Sequence, residues 1–172
     1  MPKSTILLLL AACATLFGQN PSFDYASYAP MDFDSLIKAT PKAKLVGSPK
    51  ADGFKGHPFD VFAPKKIRFV CTLASAPMEI DIASEFGSAK NNPYMNSLKA
   101  LGVNDPPSIT TALQVKTKRG KTFVIVMQDV LKETLLQEGR ENGKIEIYGL
   151  HYMNDADGPV IVMSEFKMMP NR

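Results

Sequence analysis

Few residues in this chain are of types that do chemistry unaided. It has two histidines, two cysteines and no tryptophan. His57 and His151 stand far apart, in neither HxxxH nor HExxH spacing. A joint metal or acid–base site would therefore need folding alone to bring its ligands together. Cys71 alternates with Ile67, Phe69 and Leu73, so it shares an apolar strand face and reads as a small core residue. A nucleophilic thiol needs a positive, partly open setting and a base nearby. Asp155-Ala156-Asp157-Gly158 has the composition of a calcium loop. With Gly158 at the loop glycine, however, Met153 and Ser164 fall where the first and last ligands belong, which leaves a solvated turn. No GxSxG, CxxC, phosphate-loop or dinucleotide fingerprint occurs. The sequence therefore calls for no metal and no cofactor.

The residues that do gather are basic. Lys116, Lys118, Arg119 and Lys121 lie at and around one expected hairpin turn, with Arg68 facing outward from an earlier strand. Such a tip can grip phosphate or an acidic glycan. It also suits a solvated edge that discourages strand-to-strand aggregation. The formal charge of +3 is too mild to argue for a nucleic-acid partner.

Several elements must position these groups. Leu113, Val115 and Thr117 alternate with Gln114, Lys116 and Lys118, the period of a half-buried strand. Arg119-Gly120 makes the turn, with Gly120 free to take a positive φ. Phe123 to Met127 is continuously apolar and β-branched, which predicts a strand covered on both faces. Asp129 can cap a short helix over Val130–Glu138, with Leu131 and Leu135 as its buried stripe and Gly139 as its stop. Asn142-Gly143 turns the chain into a strand from Lys144 to Tyr152. The segment 154–159 is dense in turn formers, and Val160–Lys167 returns as the last strand. Upstream, Lys66–Leu73 is a further strand with Ile67, Phe69, Cys71 and Leu73 on one face.

The rest of the chain attaches to this domain, 65–172. Residues 1–18 read as an export leader: Lys3 opens an apolar stretch from Thr5 to Phe17, shorter than the roughly 20 residues of a membrane span. No later stretch offers a span. Leu10-Ala11-Ala12-Cys13 resembles the lipobox of bacterial lipoproteins, which would make Cys13 a lipid attachment site. Only twelve residues precede it and the apolar run continues past it, which favours cleavage near Gly18. Residues 19–64 form an irregular arm, broken by prolines yet carrying Phe23, Tyr25, Tyr28, Phe33 and Phe54, rings expected to press into the domain surface. Asp34 to Ala39 suits one or two helical turns. Residues 75–110 are an insertion, with a short strand expected at Met78–Ile82 and a short helix at Tyr94–Leu101.

In element order, the strands Lys66–Leu73, Leu113–Lys118 and Thr122–Gln128, the helix, and the strands Lys144–Tyr152 and Val160–Lys167 resemble the OB-fold family, a small five-stranded barrel. The resemblance rests on order, not on a motif, and the insertion departs from it. It implies a mainly β fold with short helices, in β-β-β-α-β-β order; an open α+β antiparallel sheet with the same hairpins is the alternative. It also implies a ligand face on the second and third strands, beside the basic cluster. The expected function is a non-catalytic binding or assembly module of the cell envelope, periplasmic or secreted. Its partner would be an anionic glycan, a lipid headgroup or an envelope protein. An enzyme using dispersed histidines and carboxylates is the second reading. A nucleic-acid binder is the third, disfavoured by the leader.

Overall fold

The computed structural model describes residues 22–40, 60–80, 107–154 and 158–170. Their strands are β1 (Ala29–Pro30), β2 (Asp60–Leu73), β3 (Met78–Glu79), β4 (Thr111–Lys116), β5 (Thr122–Met127), β6 (Lys144–Asn154) and β7 (Pro159–Met168). The helices are α1 (Phe33–Ala39) and α2 (Lys132–Glu138). The strands join in the order β1-β2-β6-β7-β5-β4-β3, and a further pairing of β2 with β4 closes five of them into a barrel. The OB-like five-stranded barrel is thus what forms, and the open sheet is not. One pair in the ring, β5 with β7, is parallel.

Alternation builds the barrel interior. Ile67, Phe69, Cys71 and Leu73 of β2 point inward, as do Leu113 and Val115 of β4 and Ile125 and Met127 of β5. Ile145 and Ile147 of β6, and Ile161, Met163 and Phe166 of β7, complete that core. The register agrees: Leu113 faces Ile125 and Val115 faces Phe123 across the β4–β5 hairpin. The outer face of β5 divides. Val126 is covered in a second apolar cluster with Ile109, Tyr152 and Val162, whereas Val124 is half exposed. Continuous hydrophobicity therefore overstated the cover of this strand.

Both helices feed the same core. Leu131 and Leu135 enter it from the α2 side, and Phe33 enters it from α1. Asp129 does not cap α2. It opens a single 3-10 turn, Asp129–Leu131, and its carboxylate accepts hydrogen bonds from Ser108 and Thr110 instead. Those two hydroxyls sit just upstream of β4, so the competing bond ties the end of the insertion to the barrel. Gly139 is required for closeness, not for a left-handed turn. Its φ is negative, and a Cβ there would meet the Leu135 carbonyl oxygen. Asn142 takes the positive φ of the next turn, at 61°, and its N–H donates to the Leu73 carbonyl.

The described part of the arm, residues 22–40, meets the barrel through β1 and α1. Asp32 caps α1 by accepting from the Ser35 N–H at 3.0 Å. Ala29 and Pro30 pair parallel with Ile67 and Arg68, and the Met31 N–H donates to the Arg68 carbonyl at 2.8 Å. The strand β2 begins at Asp60, upstream of the expected Lys66. It carries Pro64 at an irregularity between Val61 and Lys65, where a missing N–H breaks no ladder. No helix among the described residues is long and apolar enough to cross a membrane. The leader with Cys13, Phe54, His57, the Tyr94–Leu101 segment and Asp155–Asp157 lie outside the described residues.

Candidate functional site: a basic hairpin and an adjoining groove

The hairpin tip is built around Thr117. This residue is buried, and its hydroxyl accepts from the N–H groups of Arg119 and Lys121 at 3.2 and 3.3 Å. Its own N–H donates to the Lys121 carbonyl at 2.9 Å, while Gly120, at φ 79°, donates back to the Thr117 carbonyl. Threonine supplies the hydroxyl and glycine the left-handed conformation, so the turn is held from inside.

Four cations surround that turn. Lys118, Arg119 and Lys121 are exposed and Lys116 is half-buried at the end of β4. Lys118 reaches back to the arm, with its ammonium 3.2 Å from the Asp32 carboxylate. The hydrogen bonds from Ser35, and then Lys118, hold the Asp32 carboxyl below its usual range. Among the described residues, Lys116, Arg119 and Lys121 have no carboxylate in ion-pair range.

Arg68 stands on the outer face of β2, opposite Tyr148. Its guanidinium lies 3.8 Å from the Glu146 carboxylate, longer than a hydrogen bond. The Tyr148 hydroxyl donates to that same carboxylate at 2.6 Å. Burial, reinforced by this bond to an anion, pushes the phenol up to about 12. The Arg68 Nε is buried and has no acceptor among the described residues.

Arg68 and Lys118 meet at one groove of about 220 Å³ between the arm and the barrel wall. Asp32 and Met31 line it on the arm side, and Phe69, Val70 and Glu146 on the barrel side. The structure thus brings together two of the five expected ligand-binding residues here. The other three stay at the tip, with Lys118 common to both.

Three of the arm's rings lie against the outer face of the barrel, whereas Phe33 enters its core. Phe23, Tyr25 and Tyr28 gather around Tyr148 at centroid distances of 6.0, 5.0 and 5.7 Å. Lys167 places its ammonium 3.8 Å from the Tyr25 ring centroid. Sequence reasoning identified the rings but not their receptors. The one available signal was that Tyr148 and Lys167 fall at outward positions of their strands.

Two of the remaining candidates, Cys71 and His151, lie among the described residues. Cys71 is buried, and burial pushes its thiol up to about 12, far from the thiolate a nucleophile needs. His151 is buried, holds Asn154 at 2.8 Å through Nε2 and packs edge-on against Phe62. Burial holds its pKa below the usual value and keeps the ring neutral. No group of three metal-ligating side chains occurs among the described residues.

The fold and surface together define a class: an OB-like β-barrel with a basic hairpin at one corner. Compared with models of protein families, with curated proteins and with solved structures, the chain finds no significant match.

Proposed function

We propose that the chain is a non-catalytic binding or assembly module of the cell envelope, taking an anionic ligand at the β4–β5 hairpin. The observation that carries this reading is the tip itself. Three cations without carboxylate neighbours among the described residues sit on a turn fixed by the buried Thr117 hydroxyl. Cations prearranged in this way bind an anion without ordering a loop first. OB-like barrels bind oligonucleotides and oligosaccharides on their second and third strands, which here are β4 and β5. The export leader read from residues 1–18 makes an anionic glycan or an acidic lipid headgroup the class of ligand within reach. The buried Cys71 thiol, pushed up to about 12, and His151, buried with its Nε2 held by Asn154, speak against nucleophilic or acid–base chemistry at these two positions.

The experiment is a salt-titrated binding screen against an acidic glycan, phosphatidylglycerol vesicles and single-stranded DNA, run with the full chain. A variant with Lys116, Lys118, Arg119 and Lys121 all changed to Gln is run beside it. Binding that weakens in the variant with a flatter salt dependence supports the reading. Equal affinity and equal salt slope in both proteins would reduce the cluster to a solvated edge.

A further inference from the structure

The edge of β2 away from β6 is used discontinuously. Its Arg68 carbonyl accepts from the Met31 N–H. Four residues on, Thr72 pairs with Lys116 of β4, and the Ala74 N–H donates to Gln114. In an extended antiparallel strand, residues two apart turn their backbone groups to the same side. The register with β6 runs without a break from Lys65 to Thr72. Val70 therefore directs both its N–H and its C=O away from β6, between Met31 and Lys116. No described residue pairs with it there. What lies at that edge is the groove shared by Arg68 and Lys118.

The length of this gap constrains its occupant. From Arg68 to Thr72 is about 13 Å at the rise of a strand. An extended chain running through would meet the arm at one end and the hairpin at the other, so a chain end fits and a continuous strand does not. Charge then selects which end. The two carboxylates at the groove are already engaged, Asp32 by Ser35 and Lys118, and Glu146 by the Tyr148 hydroxyl. The polar atom left over is a donor, the Arg68 Nε–H.

We propose that this seam receives the carboxyl end of a partner polypeptide. Its last residues pair with Val70, and its terminal carboxylate takes the Arg68 guanidinium and the Lys118 ammonium. Lys118 exchanges its exposed pair with Asp32 for the incoming carboxylate, and Lys116, Arg119 and Lys121 favour acidic residues just upstream. Recognition of this kind combines strand addition with capture of a chain terminus. It extends the proposed function by naming a partner, yet it rests on Val70 and Arg68, not on the hairpin tip.

The test titrates the ¹⁵N-labelled full chain with a pool of acetylated pentapeptides of randomised sequence. The pool is made once with a free C-terminal carboxylate and once as the amide. The free acids should shift the Val70 amide and Arg68 Nε signals, and amidation should weaken the response about tenfold, as loss of a charge-assisted bond does. Arg68→Gln should weaken it comparably while leaving the fold intact. Val70→Pro, which deletes the edge N–H, should abolish it; if that variant misfolds, Arg68→Gln still decides. A silent Val70 amide, an equal response to acid and amide, or full binding by Arg68→Gln would each overturn the proposal. Changing Lys116, Arg119 and Lys121 to Gln separates this proposal from the hairpin reading. Glycan or vesicle binding should fall while the Val70 response persists. Loss of both would mean that the seam is not a site of its own, and would overturn it.

Discussion

The anchoring of the arm can be tested at one ring. Phe33 is 3% exposed, stacks on Phe69 at 4.2 Å and 15°, and meets Phe123 edge-on at 5.5 Å. Its helix has seven residues, too few to persist without tertiary contacts. The arm's other ties are a two-residue strand, a solvent-exposed ion pair, the partly buried Leu36 and Ile37, and the rings of Phe23, Tyr25 and Tyr28 on the barrel's outer face at Tyr148. Phe33→Ala should therefore cost about 3–5 kcal/mol, the range for an aromatic ring removed from a packed core. With a urea slope of about 1–3 kcal/mol/M, the unfolding midpoint should fall by roughly 1–5 M. The assay is equilibrium urea unfolding followed by far-UV circular dichroism and by tyrosine fluorescence, because the chain has no tryptophan. Lys118→Gln is the control and should barely move the midpoint, since its ion pair is exposed. A Phe33→Ala loss below about 1 kcal/mol, with an unchanged slope, would refute the claim that the arm supplies part of the barrel core.

Three further outcomes follow from the same geometry. Ile125→Ala should destabilise by about 2–5 kcal/mol, whereas the four-cation Gln variant should hardly shift the urea midpoint. A large loss in the latter would mean that the assignment of β4 and β5 faces is wrong. Cys71 should react with a thiol reagent only after denaturation, and Cys71→Ala should cost about 1–2 kcal/mol, which unfolding curves will measure. His151 is held neutral by burial, so the unfolded chain binds its proton more readily. Its contribution to stability is present above the unfolded pKa of about 6.5 and is lost as pH falls from there toward the depressed folded value. His151→Gln should flatten that part of the stability–pH curve.

The barrel wall was legible because its strands obey a period of two. Alternation at Ile67–Leu73 and Leu113–Thr117 placed the inward faces correctly, and Gly120 and Asn142-Gly143 marked turns by their backbone needs. Less local choices were hidden. Asp129 suits a helix cap in sequence, but the Ser108 and Thr110 hydroxyls claim its carboxylate from across the chain. Val124 and Val126 are the same residue type two apart, yet the second cluster covers only one of them. The groove was invisible for a similar reason. Arg68, Lys118 and Asp32 are far apart in sequence and meet only because α1 docks beside β2.

The turn and the arm also explain why no described residue pairs with the outer edge of Val70. The antiparallel register that pairs Thr72 with Lys116 would, if continued, pair Val70 with Lys118. Instead β4 ends at Lys116, Thr117 commits the chain to its turn, and Lys118 leaves the ladder to reach Asp32 at the start of α1. The docked arm thus holds away the residue that would otherwise cover Val70, and it walls the other end of the gap through Met31. Phe33 itself lines the groove beside Arg68 and Val70, and its stack on Phe69 and edge contact with Phe123 hold the arm wall in place. Phe33→Ala, studied at a urea concentration where it stays folded, should therefore also weaken the response of the Val70 amide to free-acid peptides. Arg68 and Lys118 would be unchanged in sequence, so the loss would come from the groove's apolar wall and the arm's position, not from its charges. An undiminished response would show that the seam forms without the arm, and the coupling of arm docking to seam opening would be wrong.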